Sequence, residues 1–435
     1  MALPRIGVCH APGGAANTRE LFVAARGLCD VVLLVRAPVA AANPELVGLA
    51  GRLFAEHRVL PAEPGAGDLA GLDLRAVTTF HDDELDTADA LDAAVRGVDP
   101  APSPWDKLRQ REVLAAAGLG GVAAVAVDSP ADLVAGFDRL GGLPCVLKPR
   151  RAAGGDGVAF LDDAAAARAH RRRQWSGLVL ERRIDEHPHP AGDPWLGPMV
   201  SVETVTSRGR RTHLVVIDKF PVAVGRGQGP HGTDAVGVQG DILPSKLPPE
   251  RVRAAEELTG RALDALGVGS RVTHTELRLT PDGFEVLEVN GRLAGYITRL
   301  LRLVDGPDMV RAALVAALDK DTAEFTPVRF GGRAAAGLLP VFGSRAGVVR
   351  STVDRRALQA VPGVVAIDEL AAAGAQRSET DYRVANLTLA GADRAELDGA
   401  VERALGVLSE AFADDLAADG ETAPEGAVLR PQGSV

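Results

Sequence analysis

Short apolar runs alternate with amphipathic stretches over the first hundred residues. Arg5-Ile-Gly-Val-Cys9, Val31-Val-Leu-Leu-Val35 and Ala76-Val-Thr-Thr-Phe80 read as buried strands, with helices from about Asn17 to Leu28 and over 85–97. Strand and helix in alternation predict an open α/β domain. Ser103-Pro-Trp-Asp106 has the order of a helix start, with Ser103 as N-cap, Pro104 in the first turn and Asp106 three residues after the cap; Gly118 closes that helix. Further strands are expected at Leu143–Lys148, 178–184, 199–206, 212–219, 334–341, 362–367 and 382–389. Helices are expected from Pro249 to Leu266 and from Arg394 to about Ala413. No segment repeats, so the overall class is α/β followed by α+β.

The pattern is most specific at His274-Thr-Glu-Leu-Arg-Leu-Thr-Pro-Asp-Gly-Phe-Glu-Val-Leu-Glu-Val-Asn-Gly-Arg292. Thr280-Pro-Asp-Gly-Phe284 predicts a three-residue hairpin loop, a type I turn with Pro281 first and Gly283 in the left-handed region as a G1 bulge. That register sets Glu276 opposite Glu288, and strand alternation puts Asn290 and Arg292 on the same face. Opposed carboxylates repel unless a cation lies between them. Oxygen donors with no His or Cys at ligand spacing favour a hard cation such as Mg²⁺, shared with substrate phosphates. The other reading is an amphipathic hairpin with a solvated charged face.

Composition narrows the classes. At 435 residues the chain should hold about three domains. A net charge of −10 and a pI near 5.5 argue against a nucleic-acid or membrane-surface binder, so any anion site must be local. Cys9, Cys29 and Cys145 have no CxxC spacing and read as buried thiols. No signal-like N-terminus and no run of the roughly 18 apolar residues a membrane span needs is present. A cytoplasmic protein without membrane partners is expected.

Among 48 basic residues, lysine stands only at 107, 148, 219, 246 and 320. Where arginine is the default cation, a lysine raises the question of what a compact ammonium does better, and phosphate binding is one answer. Lys107 falls in the opening turn of its helix. Lys148 ends an extended segment that leads into Arg150-Arg-Ala-Ala-Gly-Gly-Asp-Gly-Val158, where small residues let backbone N–H groups approach an anion.

Other motifs carry less. His10-Ala-Pro-Gly-Gly-Ala lacks a full dinucleotide fingerprint and reads as a turn. Gly227-Gln-Gly229-Pro-His-Gly232 matches GxGxxG in form, but no helix follows, so a mobile loop over 225–240 is the better account. His187-Pro-His189 reads as a solvated proline-stiffened loop, and Arg171-Arg-Arg173 as an exposed helix face.

In chain order, Asp106-Lys107-Leu-Arg109, Val146-Leu-Lys148-Pro with its glycine loop, Glu181, Ser201-Val-Glu203, Asp218-Lys219, His274-Thr-Glu276 and Glu288-Val-Asn-Gly-Arg292 resemble the ATP-grasp superfamily of carboxylate–amine ligases. The likeness is greatest to the L-amino-acid ligase branch that makes dipeptides, and it covers most of the chain. The resemblance implies an N-terminal open α/β (pre-ATP-grasp) domain over 1–103, a small ATP-grasp subdomain over 104–178 and a large one with the metal site over 179–325. A C-terminal α+β domain over 326–418 and a disordered tail over 419–435 would follow.

It further implies that Lys107 and Lys148 hold ATP phosphates under Gly154, Gly155 and Gly157, and that Glu181, Arg182 and Ile184 form the adenine hinge. Glu276, Glu288 and Asn290 would bind two Mg²⁺ ions, with Mn²⁺ able to substitute. Arg292 would steady the acyl phosphate and the species that follows, and Lys219 would meet phosphate. His274, Glu203 and Asp218 are the candidates for a base. Tyr296 and Glu203 would face the acid pocket. The implied partners are a small carboxylic acid and an amine, with a homodimer as the assembly.

Two departures stand out. Ala152-Ala-Gly-Gly-Asp-Gly157 replaces the usual Gly-Ser-Gly-Ser pattern, which removes hydroxyl contacts to phosphate. Leu293-Ala-Gly-Tyr296 stands where relatives often carry paired glycines. A biotin-carboxylase-like enzyme and a catalytically impaired nucleotide-binding regulator are the alternative readings.

Overall fold

The computed structural model describes residues 2–225, 233–340, 347–377, 383–419 and 428–429. Near the N-terminus four parallel strands lie in the order Glu56–Leu60, Asp30–Arg36, Arg5–Cys9 and Leu74–Thr79. The apolar runs at the centre of this sheet were legible as strands. Glu56–Leu60 was not, because it is a mostly half-buried edge strand of sequence EHRVL.

A second, antiparallel sheet runs Ala124–Val127, Leu178–Arg182, Cys145–Pro149 and Ala159–Leu161. The strand at Leu178–Arg182 belongs to this sheet, which therefore crosses the expected boundary at 178/179. The third sheet is antiparallel throughout, in the order Gly283–Asn290, Arg271–Thr280, Met199–Ser207, Arg210–Lys219, Gly240–Leu243, Ala334–Leu338, Ala385–Gly391 and Val364–Leu370. It continues across the expected boundary at 325/326, since Gly240–Leu243 pairs with Ala334–Leu338.

One apolar cluster joins Ile6, Leu21 and Leu33 of the N-terminal sheet layer to Val205, Ile217, Leu301 and Leu314. Its keystone is the helix Met309–Ala317, in which every residue but Arg311 is buried. A helix apolar nearly all round needs neighbours on every side. The N-terminal domain and the large sheet supply them.

Several local expectations are corrected. The helix after residue 103 is Lys107–Ala116, capped by Asp106, whose carboxylate accepts from Leu108 and Arg109 N–H; Ser103 instead accepts from Trp105 N–H. The stretch 171–173 is not helical, because the preceding helix ends at Ala169. Residues 226–232 of the expected loop lie outside the described residues, but the segments beside them pair as a hairpin, Ala223–Gly225 with Ala235–Gly237. Most of the expected tail also lies outside them; Val428 and Leu429 do not, and Leu429 is buried in the C-terminal apolar cluster. Among the described residues, no helix is long and apolar enough to cross a membrane.

Candidate active site

A cavity of about 530 Å³ lies between the small sheet, the glycine loop and the hairpin of the large sheet. Glu276 pairs with Glu288 and His274 with Asn290. That register is the expected one, reached differently. The loop has two residues, with Thr280 paired to Gly283, and the extra residue is a bulge at Leu287. Arg111 explains the bulge. From the helix Lys107–Ala116 its guanidinium donates to the carbonyls of Val286 and, at 2.8 Å, Leu287. Beside it, Gln110 exchanges two hydrogen bonds with the Val289 backbone, 2.8 and 2.9 Å, closing the free edge of the sheet.

Three of the five lysines, Lys107, Lys148 and Lys219, line this cavity. Lys107 Nζ lies 2.7 Å from Glu288 and donates to Ala152 O at 2.6 Å. Lys148 Nζ lies 2.8 Å from Glu181, whose other oxygen is 3.1 Å from Arg111. Burial alone would raise the Glu181 pKa, but Lys148 and Arg111 outweigh it and hold the carboxyl at about 2. Lys219 pairs with Asp241 at 2.5 Å. Burial works against its charge too, and Asp241 and Glu276 outweigh that and push its pKa up.

The glycine loop has Gly154 and Gly155 at φ +67° and +84°, and both line the cavity. A Cβ on Gly155 would come 2.6 Å from the Val236 side chain, so glycine is required there twice over. Gly157 packs against Pro149 instead of facing the cavity. Arg172, from the stretch misread as a helix face, donates to Gly157 O at 3.2 Å and braces the loop from behind. Arg182, Arg183 and Ile184 continue the wall beside Glu181.

His274 is clamped between carboxylates, Nδ1 against Glu203 and Nε2 3.2 Å from Glu276. Burial would lower its pKa, yet Glu203 and the hydrogen bonds overcome this and push it to about 9. With both ring nitrogens engaged by carboxylates, His274 has no free nitrogen to serve as a base. Glu203 is corrected as a pocket residue: it is fully buried, one oxygen bonded to His274 and the other accepting from Ala294 N–H at 3.1 Å. Asp218 is likewise enclosed, held by His189, Ser245, Lys246 and Arg394. His189 is therefore buried rather than solvated. Arg292 and Tyr296 also line the cavity. Tyr296 adopts φ +63°, and its hydroxyl accepts from Asn386 at 3.2 Å.

No protein-family model matches the chain. Carnosine synthase 1 of Gallus gallus is 31% identical over 177 residues, which are 40% of this chain and 19% of that protein. The chain thus spans only a small part of that relative's length. The crystal structure of L-amino acid ligase from Bacillus licheniformis matches with a TM-score of 0.65 at 17% identity, covering 94% of this chain and 98% of the other. N5-carboxyaminoimidazole synthase from Aspergillus clavatus, in complex with ADP and 5-aminoimidazole ribonucleotide, matches with a TM-score of 0.63 at 16% identity, over 94% and 99% of the two chains. The chain has the ATP-grasp fold.

In this ATP-grasp chain the fit for a metal rests on the donor set. Among the described residues no three of His, Cys, Asp and Glu converge as a protein-only metal cage. Glu276, Glu288 and Asn290 all line the same cavity. Two carboxylates and an amide suit a hard cation that completes its shell with phosphate oxygens and water. Sequence reasoning missed Arg111, Asp241 and Asn386, and also Asp82, whose carboxylate holds Arg292. Only Arg111 left a usable signal, since Lys107, Gln110, Arg111 and Leu114 fall on one helical face. The others reach the site through long-range folding.

Proposed function

We propose that the chain is an ATP-dependent ligase that phosphorylates a carboxylate, with an amino acid as the favoured acid, and joins it to an amine, releasing ADP and phosphate. The observation that supports this reading is a single cavity lined by Lys107, Lys148 and the glycine loop together with Glu276, Glu288, Asn290 and Arg292. Adenine would lie against 182–184. The triphosphate would extend toward Lys107, Lys148 and the amides of the 152–157 loop.

Glu276, Glu288 and Asn290 would hold Mg²⁺, as two ions by the resemblance, and the metal would supply charge neutralisation across the phosphates. Phosphoryl transfer needs positioning and charge rather than an enzyme nucleophile, and the chain offers cations and backbone amides in that role. The amine then attacks the activated carbonyl. Fixed N–H donors on Arg292 would steady the oxyanion, a kind of contact whose removal typically costs on the order of 3 kcal/mol. Tyr296 and Asn386 would shape the acid side. A homodimer is the assembly expected by resemblance, which light scattering measures.

The decisive experiment incubates the protein with Mg-ATP and pools of acids and amines, separates ADP from AMP, and searches for condensed products by mass spectrometry. ADP with a product whose mass is that of acid plus amine minus water is expected. AMP with pyrophosphate would sink the acyl-phosphate route, and turnover that depends on bicarbonate would favour a carboxylase.

A further inference from the structure

Arg292 follows the metal-facing hairpin by two residues, and its guanidinium is fixed on two sides. Nε donates to both oxygens of Asp82, at 2.9 and 3.0 Å, and Nη2 donates to Asp82 at 2.7 Å. Nη1 donates to the Leu293 carbonyl at 2.8 Å. A guanidinium carries five N–H donors. These contacts occupy three, leaving one on each terminal nitrogen for a ligand in the cavity that Arg292 lines.

Asp82 comes from the other end of the chain. It opens the short turn Asp82–Glu84 beyond the strand Leu74–Thr79, at the carboxyl edge of the N-terminal parallel sheet. In open α/β sheets that edge is where ligand-contacting loops gather. Every neighbour of Asp82 in this turn is tied down. His81 N–H donates to Thr79 Oγ1 at 3.1 Å, and His81 Nδ1 accepts from Asp83 N–H at 3.2 Å. Phe80 O accepts from Ala15 N–H at 2.7 Å. Glu84 is buried and accepts from Arg36 Nε at 2.8 and 2.9 Å. The carboxylate is thus presented by a rigid support, and the long arginine side chain has its plane set by a two-point contact.

We propose that Asp82 is a positioning residue for Arg292: the N-terminal domain contributes the carboxylate that orients the guanidinium toward the reacting group. This rests on the ligase reading above. An arginine without that contact would sample other rotamers and stabilise the developing oxyanion only part of the time. Rate, rather than nucleotide affinity, is what its loss should change, because the phosphates are held elsewhere by Lys107 and Lys148.

The test uses the full chain with the acid and amine identified by the pool assay. Asp82→Ala should lower kcat on the order of 10²-fold, the scale of a misplaced catalytic group, with KM for ATP unchanged. Asp82→Asn, nearly isosteric and therefore safe for folding, should fall in the same direction. In an Arg292→Lys background, Asp82→Ala should add little further loss, since residues acting through one another are not additive. Full kcat in both Asp82 variants, an additive loss in the double variant, or an effect confined to melting temperature would overturn the proposal. If wild type forms no ADP with any pair, the ligase reading fails and takes this role with it. Active wild type beside undiminished Asp82 variants removes the role of Asp82 alone.

Discussion

Tyr296 holds φ +63°, a left-handed conformation that costs a residue with a β-carbon about 1 kcal/mol or more. The residue is 41% exposed and lines the cavity, and its hydroxyl accepts from Asn386. Strain kept at such a place is better explained by the cavity than by the core. Tyr296→Gly relieves the backbone and gives up one hydrogen bond of about 1 kcal/mol, so the melting temperature should stay near wild type. The range of acids converted, read by mass spectrometry over a mixed pool, should broaden. An unaltered acid profile would return the ring to a packing role. Tyr296 was legible from its place after Arg292. Asn386 was not, because 90 residues separate it from Tyr296 and its strand carries no chemical motif.

The helix Lys107–Ala116 and the hairpin 271–290 act as one element. Lys107, Gln110 and Arg111 respectively meet Glu288, the Val289 backbone, and the two carbonyls of the bulge together with Glu181. Arg111 thereby links the strand Leu178–Arg182 to the strand Gly283–Asn290. Removing one partner of a buried ion pair typically costs about 3–5 kcal/mol. Arg111→Met should therefore lower stability on that scale in a urea titration. Arg111→Lys should recover little of the loss, since an ammonium lacks the planar fork that serves two carbonyls and a carboxylate together. A denaturation midpoint for the lysine variant equal to wild type would show that charge alone suffices. The pairing of Glu276 with Glu288 was readable, but by way of a three-residue turn that the hairpin does not have. The bulge that delivers it was not, because its cause is an arginine more than 170 residues upstream.

Across the whole molecule, the shared core of the N-terminal and large sheets predicts that acid destabilises them together. Burial, with His81 nearby, lowers the His10 pKa to about 4, and burial, with Arg211 nearby, does the same to His213. One histidine lies in each of the two layers. Both are neutral in the fold and take up protons more readily when unfolded, so their stabilisation is complete above the ordinary histidine range and is lost as pH falls from about 6.5 toward 4. Glu181, held at about 2, loses its contribution lower still, between about 4.5 and 2. Thermal melts over this range should shift downward with acid as a single transition. Two transitions that separate with pH would show that the layers unfold independently, despite the cluster running from Ile6 to Leu314.

By itself the sequence determined the central strands of the N-terminal sheet, the long helices that begin at Pro249 and Arg394, the opposition of Glu276 and Glu288, and the two lysines singled out as candidates for phosphate. Those features depend on side-chain periodicity, turn chemistry and residue type, which are local. Only the tertiary structure decided that Glu203 and Asp218 are enclosed, that His274 is clamped between Glu203 and Glu276, and that Arg292 answers to Asp82. Charge state and availability depend on burial and on partners brought from distant parts of the chain, and packing alone supplies both.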